Sequence, residues 1–143
     1  MMKIDLIEYQ KFVDAVTSKT SKDLTTFMNR LDELDGNYIG DGQHGPDINV
    51  SLLLTAGLGL GSESGEFQEI VKKMFFQGKP LNEDNVFHMK RELGDILFYW
   101  IIACLALNFD PNQVIQENID KLSKRYPNGF TVEKSENRAE NDI

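Results

Sequence analysis

Residues 56–74 read AGLGLGSESGEFQEIVKKM, and the periodicity of this stretch decides the fold. At about 100° per residue, Ala56, Leu60, Phe67, Ile70 and Met74 fall on one side of a helix. Glu63 falls in the middle of that apolar stripe and Glu66 lies at its edge, whereas solvating carboxylates belong on the opposite side, with Gln68 and Lys72. A carboxylate removed from water without a partner is costly, so such a group protonates, pairs or binds a metal. Gly57, Gly61 and Gly65 recur every four residues in the same stretch, each about 1 kcal/mol worse than alanine inside a helix. Their spacing argues for a close helix–helix approach beside the carboxylates, with a break in the helix as the competing explanation. It is not a dinucleotide loop, because the G-x-G-x-x-G order fails at Ser62 and no strand precedes it.

The next apolar segment repeats the anomaly. Glu92 and Asp95 are again three residues apart and share a face with Ile96, Tyr99 and Ala103. The turns that follow are apolar all round, the pattern of a bundle's central helix. Two adjacent helices thus each aim a pair of acids inward, and four anions share a site only by taking up protons or divalent cations. All-oxygen ligands suit magnesium, manganese or calcium rather than zinc. The competing arrangement is ion pairing at i, i+4, His88 with Glu92 and Arg91 with Asp95. Glu69 is four residues from Lys73 and points away from Glu63, so it reads as a surface partner and only a peripheral candidate ligand.

Outward from these helices, the chain reads as five helices in one domain. Tyr9, Phe12, Val13 and Val16 form an amphipathic stripe, as do Leu24, Phe27, Met28 and Leu31 after a capping signal at Thr20 and Ser21. A loop with four glycines runs from Asp35 to Asp47, long enough to suggest function. The third helix spans about Ile48 to Phe76 and stops at Gly78 and Pro80. The fourth starts at Asn82 and continues to about Leu107. Asp110 before Pro111 opens a fifth that runs to about Tyr126. No segment alternates as a strand. The expected class is all-α: residues 1–132 form a single helical catalytic domain and residues 133–143 a polar, flexible tail.

Composition narrows the function. With 143 residues, 41% of them hydrophobic, the chain has material for one core, and its formal charge of −8 argues against nucleic-acid and membrane surfaces. Cys104, the only cysteine, excludes an internal disulfide and lies in an apolar run, where an inert thiol is expected. The N-terminus does not read as a signal peptide, and the apolar run from Ile96 to Leu107 is shorter than the roughly 20 residues that span a bilayer. The cytoplasm is the expected compartment. In the fifth helix, Asn118, Lys121 and Arg125 form a polar stripe of hydrogen-bond donors suited to oligophosphate oxygens, although alone it also describes a solvated helix end.

Together these residues resemble the MazG-like all-α nucleoside triphosphate pyrophosphohydrolases. The matching stretches are Glu63-Ser64-Gly65-Glu66, Glu92-Leu93-Gly94-Asp95-Ile96-Leu97-Phe98-Tyr99, and residues 118–130, NIDKLSKRYPNGF. The family pattern is E-E-x-x-E, a spacer, then E-x-x-D; here Ser62 replaces the first glutamate. The resemblance covers roughly residues 48–130. It implies a helical bundle that forms homo-oligomers, a tetramer in preference to a dimer. It also implies magnesium, or alternatively manganese, held by Glu63, Glu66, Glu92 and Asp95, with triphosphate contacts from Asn118, Lys121 and Arg125. The implied reaction converts a nucleoside triphosphate and water to the monophosphate and pyrophosphate, with deoxynucleotides and pool cleaning preferred. Glu63 is the expected base. The alternatives are a phosphoribosyl-ATP or dUTP-type hydrolase of the same superfamily, and a non-enzymatic helical interaction module. A di-iron carboxylate bundle wants two Glu-x-x-His pairs, and His44 and His88 are not so placed. Phe12, Phe27, Tyr38, Phe76 and Trp100 are the aromatic candidates for base stacking.

Overall fold

The computed structural model describes residues 5–36, 38–39 and 43–137. The chain divides into two compact units, one reaching Val50 and one starting at Ser51. In the first, α1 (Leu6–Val16) is capped by Asp5, whose carboxylate accepts from the backbone N–H of Ile7 at 2.9 Å. A four-residue helix, α2 (Lys19–Lys22), is capped by Ser18, and α3 (Leu24–Asp35) by Asp23, which accepts from Thr26 N–H at 2.7 Å. The capping signal at Thr20 and Ser21 is therefore corrected. Those two residues lie inside α2, and the acids and hydroxyls flanking them do the capping. The apolar faces of α1 and α3 remain largely exposed, Phe12 at 60% and Met28 at 48%.

Within the Asp35–Asp47 stretch, β1 (Tyr38–Ile39) pairs antiparallel with β2 (Gln43–His44), Tyr38 opposite His44. This two-residue ladder was not expected, and residues 37 and 40–42 of the expected loop lie outside the described residues. Among the described residues the regular structure is otherwise helical, as the all-α class predicted from sequence requires.

The second unit carries the predicted long helices. α4 (Val50–Phe76) runs unbroken through every glycine, so no break occurs. It ends where Gly78 takes φ +71° and the Lys79 N–H returns to the Lys73 carbonyl at 3.1 Å. α5 (Glu83–Ala106) begins at Asn82, which caps the N–H of Asn85 at 3.0 Å. The buried Asn85 amide in turn donates to the Pro80 carbonyl at 2.7 Å and fixes the turn between the helices. α5 closes on Asn108 at φ 55°, with the Phe109 N–H bonded to the Cys104 carbonyl at 2.9 Å. α6 (Pro111–Arg125) leaves at a bend of 103°, capped by Asp110 with proline at its first position. α7 (Val132–Glu136), capped by Thr131, is a short helix across the expected boundary between domain and tail at residues 132–133, and residues 138–143 lie outside the described residues.

Ala56, Gly59, Cys104 and Ala106 are buried in this unit, and Cys104 is the packed thiol the sequence suggested. The enclosed central helix is not seen. Leu97, Phe98 and Leu105 on α5 are 56%, 59% and 62% exposed, because the unit has too few helices to surround it. Among the described residues no single helix is long and apolar enough to cross a membrane.

Candidate metal and phosphate site

α5 reaches the α4 backbone at Gly59. A Cβ built there would stand 2.2–2.4 Å from ring atoms of Tyr99, so the missing side chain is what lets Tyr99 lie against the α4 backbone. Gly57, Gly61 and Gly65 face open space, with nothing within 4 Å of the point where a methyl group would stand. The close approach inferred from the glycine repeat exists, but at a fourth glycine. The signal was available: Gly59 lies at i+3 from Ala56 and i−4 from Glu63, within the apolar stripe.

One helical turn from this contact, in opposite directions along the two helices, lie Glu63 and Asp95. Carboxylate oxygens of Glu63, Glu92 and Asp95 all lie within 4.8 Å of one another. Glu63 and Glu92 are half-buried and Asp95 is exposed. Withdrawal from water pushes the Glu63 carboxyl above its ordinary range, and the like charges of Glu66, Asp95 and Glu92 add to the push in that order. Glu66 thus belongs to the same electrostatic cluster but stands exposed at its edge.

The ion pairs that would have neutralised the cluster do not form. Among the described residues, neither His88 nor Arg91 bridges to Glu92 or Asp95, and none of the four carboxylates has a cationic side chain within 4 Å. Glu69 does pair, with Lys73 at 3.0 Å and Lys72 at 3.4 Å, and these bonds hold its carboxyl below the ordinary range. An all-oxygen, uncompensated set of three converging carboxylates is what a hard divalent cation requires, so the residues present fit such an ion.

A cavity of about 590 Å³ opens beside the cluster, lined by Ser62, Gly65, Glu66, Glu69, Ile70, His88, Arg91 and Glu92. This volume is in the range of small-molecule sites. The basic stripe of α6 does not line it. Asn118 and Lys121 line another cavity of about 710 Å³, with Trp100, Val114, Ile115 and Glu117. Arg125 carries its guanidinium 5.8 Å from the centre of the Tyr126 ring. Within one chain, Asn118 and Lys121 thus line a different cavity from the one beside the carboxylates.

The family model of the MazG nucleotide pyrophosphohydrolase domain matches residues 53–130, more than half of the chain. No curated protein and no solved structure matches.

Proposed function

The chain belongs to the MazG nucleotide pyrophosphohydrolase family, and from that premise we propose that it converts a nucleoside triphosphate and water to the monophosphate and pyrophosphate, with magnesium and a preference for deoxynucleotides. The family accounts for a nucleotide pyrophosphohydrolase in general and for use of a divalent metal. One observation supports the metal in this reading: three carboxylates converge within 4.8 Å, and among the described residues no cationic side chain stands within 4 Å of them.

Glu63, Glu92 and Asp95, with Glu66 at the edge, would hold magnesium, and manganese is the alternative. When bound, such an ion supplies positive charge to the phosphate oxygens and to the attacking water. The chain's own part is positional and protonic. Glu63, central and half-buried, takes the proton as the water oxygen bonds to the α-phosphorus. The bond from the α-phosphorus to its bridging oxygen breaks, and pyrophosphate leaves with the electron pair. Asn118, Lys121 and Arg125 remain the proposed triphosphate contacts. Because Asn118 and Lys121 line a different cavity within the chain, this role requires the substrate to extend past the cluster or a second copy to supply them.

We also read the chain as a homo-oligomer, a tetramer in preference to a dimer. Support comes from α5, whose exposed Leu93 and Leu97 lie on the side away from Glu92, Asp95 and Tyr99, with Phe98 and Leu105 also exposed beside them.

The test is a panel of ribo- and deoxynucleoside triphosphates with magnesium, scored separately for pyrophosphate and orthophosphate. Equimolar monophosphate and pyrophosphate are expected, fastest from deoxynucleotides. Orthophosphate alone would overturn the reaction, and turnover confined to dUTP or phosphoribosyl-ATP would select the sister activities. Replacing Glu63 by Gln or Asp95 by Asn abolishes turnover and leaves the helical circular-dichroism signal unchanged; full activity in either removes the role assigned to it.

A further inference from the structure

Arg91 and His88 are spaced on α5 as i, i+4 partners of Asp95 and Glu92, yet neither bond forms among the described residues. Both side chains instead line the cavity that Glu66 and Glu92 share. An arginine is always charged and presents five donors in a rigid fork that matches carboxylate and phosphate oxygens. Of the three acids on this wall, Glu69 is already held by Lys72 and Lys73, and Glu66 and Glu92 belong to the cluster that a divalent cation would occupy. The wall therefore leaves the guanidinium an anion brought in by a ligand.

We propose that Arg91 is the phosphate-binding arm of the carboxylate cavity, gripping the outer phosphates of an oligophosphate whose inner phosphate meets the acidic cluster. Resting on the pyrophosphohydrolase reading, it names a recognition residue which that reading does not supply. Adjacent to Glu92 on a rigid helix, Arg91 stands within about one turn of both Glu92 and Asp95, so it reaches the same ligand that they do. The inner phosphate is then met through the carboxylates and the outer ones by a fixed fork. Selection follows: a chain with β- and γ-phosphates fills both halves of the cavity, and a monophosphate fills one. Bidentate geometry also makes lysine an incomplete substitute.

The experiment titrates inorganic pyrophosphate, with magnesium at fixed ionic strength, into the full chain as wild type, Arg91→Ala and Arg91→Lys. Manganese binding by electron paramagnetic resonance serves as the control. Pyrophosphate affinity is expected to fall at least about 10-fold in Arg91→Ala and to recover part of the way in Arg91→Lys. Manganese affinity stays within about two-fold. If the alanine variant loses its helical signal, Arg91→Gln, uncharged and of similar reach, gives the answer. Unchanged pyrophosphate affinity in a wild-type enzyme that hydrolyses nucleotides overturns the role of Arg91 and leaves the activity standing. A parallel loss of manganese overturns it too, because Arg91 would then act by arranging the carboxylates. A wild type that neither binds pyrophosphate nor releases it from any nucleotide brings down the underlying activity itself.

Discussion

Glu63 is half-buried on α4 and feels three neighbouring carboxylates, so its carboxyl holds a proton more tightly when folded than when unfolded. Where the native state binds more protons, stability falls as pH rises. The penalty therefore appears as pH climbs from the ordinary glutamate range through the raised native value. Asp23 and Glu69 act in the opposite sense, their carboxyls being lowered by Thr26 and Lys73, so total stability does not isolate Glu63. The difference between wild type and Glu63→Gln does. In chelator, the melting temperature of Glu63→Gln should gain on wild type between pH 4.5 and 7.5. With excess magnesium the order at pH 7.5 should reverse, because only wild type keeps its full ligand set. No relative gain in chelator would mean that the Glu63 carboxylate is not crowded. Glu63 was readable in the sequence because an acid inside an apolar stripe has few tolerable explanations. Arg91 was not, since its spacing from Asp95 serves a surface ion pair equally well. Only the cavity wall separates the two uses.

Among the elements, the α4–α5 contact is set by Gly59 and Tyr99, and the two kinds of glycine in α4 should respond oppositely to alanine. Gly59→Ala forces a methyl into the Tyr99 ring and should cost about 1–3 kcal/mol in urea unfolding, the usual range for overpacking. Gly61→Ala meets open space in a helix and should gain up to about 1 kcal/mol. Equal effects at the two sites would dissolve the proposed contact. Activity should fall in Gly59→Ala as well, since Glu63 and Asp95 sit one turn away. The helix boundaries at Asn82 and at Asp110-Pro111 were legible because a cap is a local transaction between a side chain and the next N–H groups. Helix adjacency is not local: a row of glycines shows that one face is small but not which face meets a neighbour. The pairing of β1 with β2 escaped for a related reason, because two residues per strand are too few to alternate.

At the scale of the whole molecule, the second unit leaves its most apolar helix half-covered. Leu93, Leu97, Phe98 and Leu105 are each more than half exposed, and Leu93 and Leu97 lie away from the carboxylates. Fully burying one such side chain is worth about 1.5–3 kcal/mol, so enclosing four of them would stabilise an association by several kcal/mol before its entropic cost. A second copy is the occupant we propose, because the same stripe on both partners makes a self-complementary two-fold contact. Leu97→Glu places a charge in the middle of that stripe, where association would desolvate it. Light scattering should give wild type a multiple of 16.3 kDa and Leu97→Glu a mass near 16.3 kDa. The melting temperature supplies the independent measure. If association and folding are linked, wild type melts higher as protein concentration rises, and Leu97→Glu melts lower and independently of concentration. A wild type of 16.3 kDa whose melting is also independent of concentration would leave these leucines and Phe98 facing water, and the homo-oligomer would have to be given up.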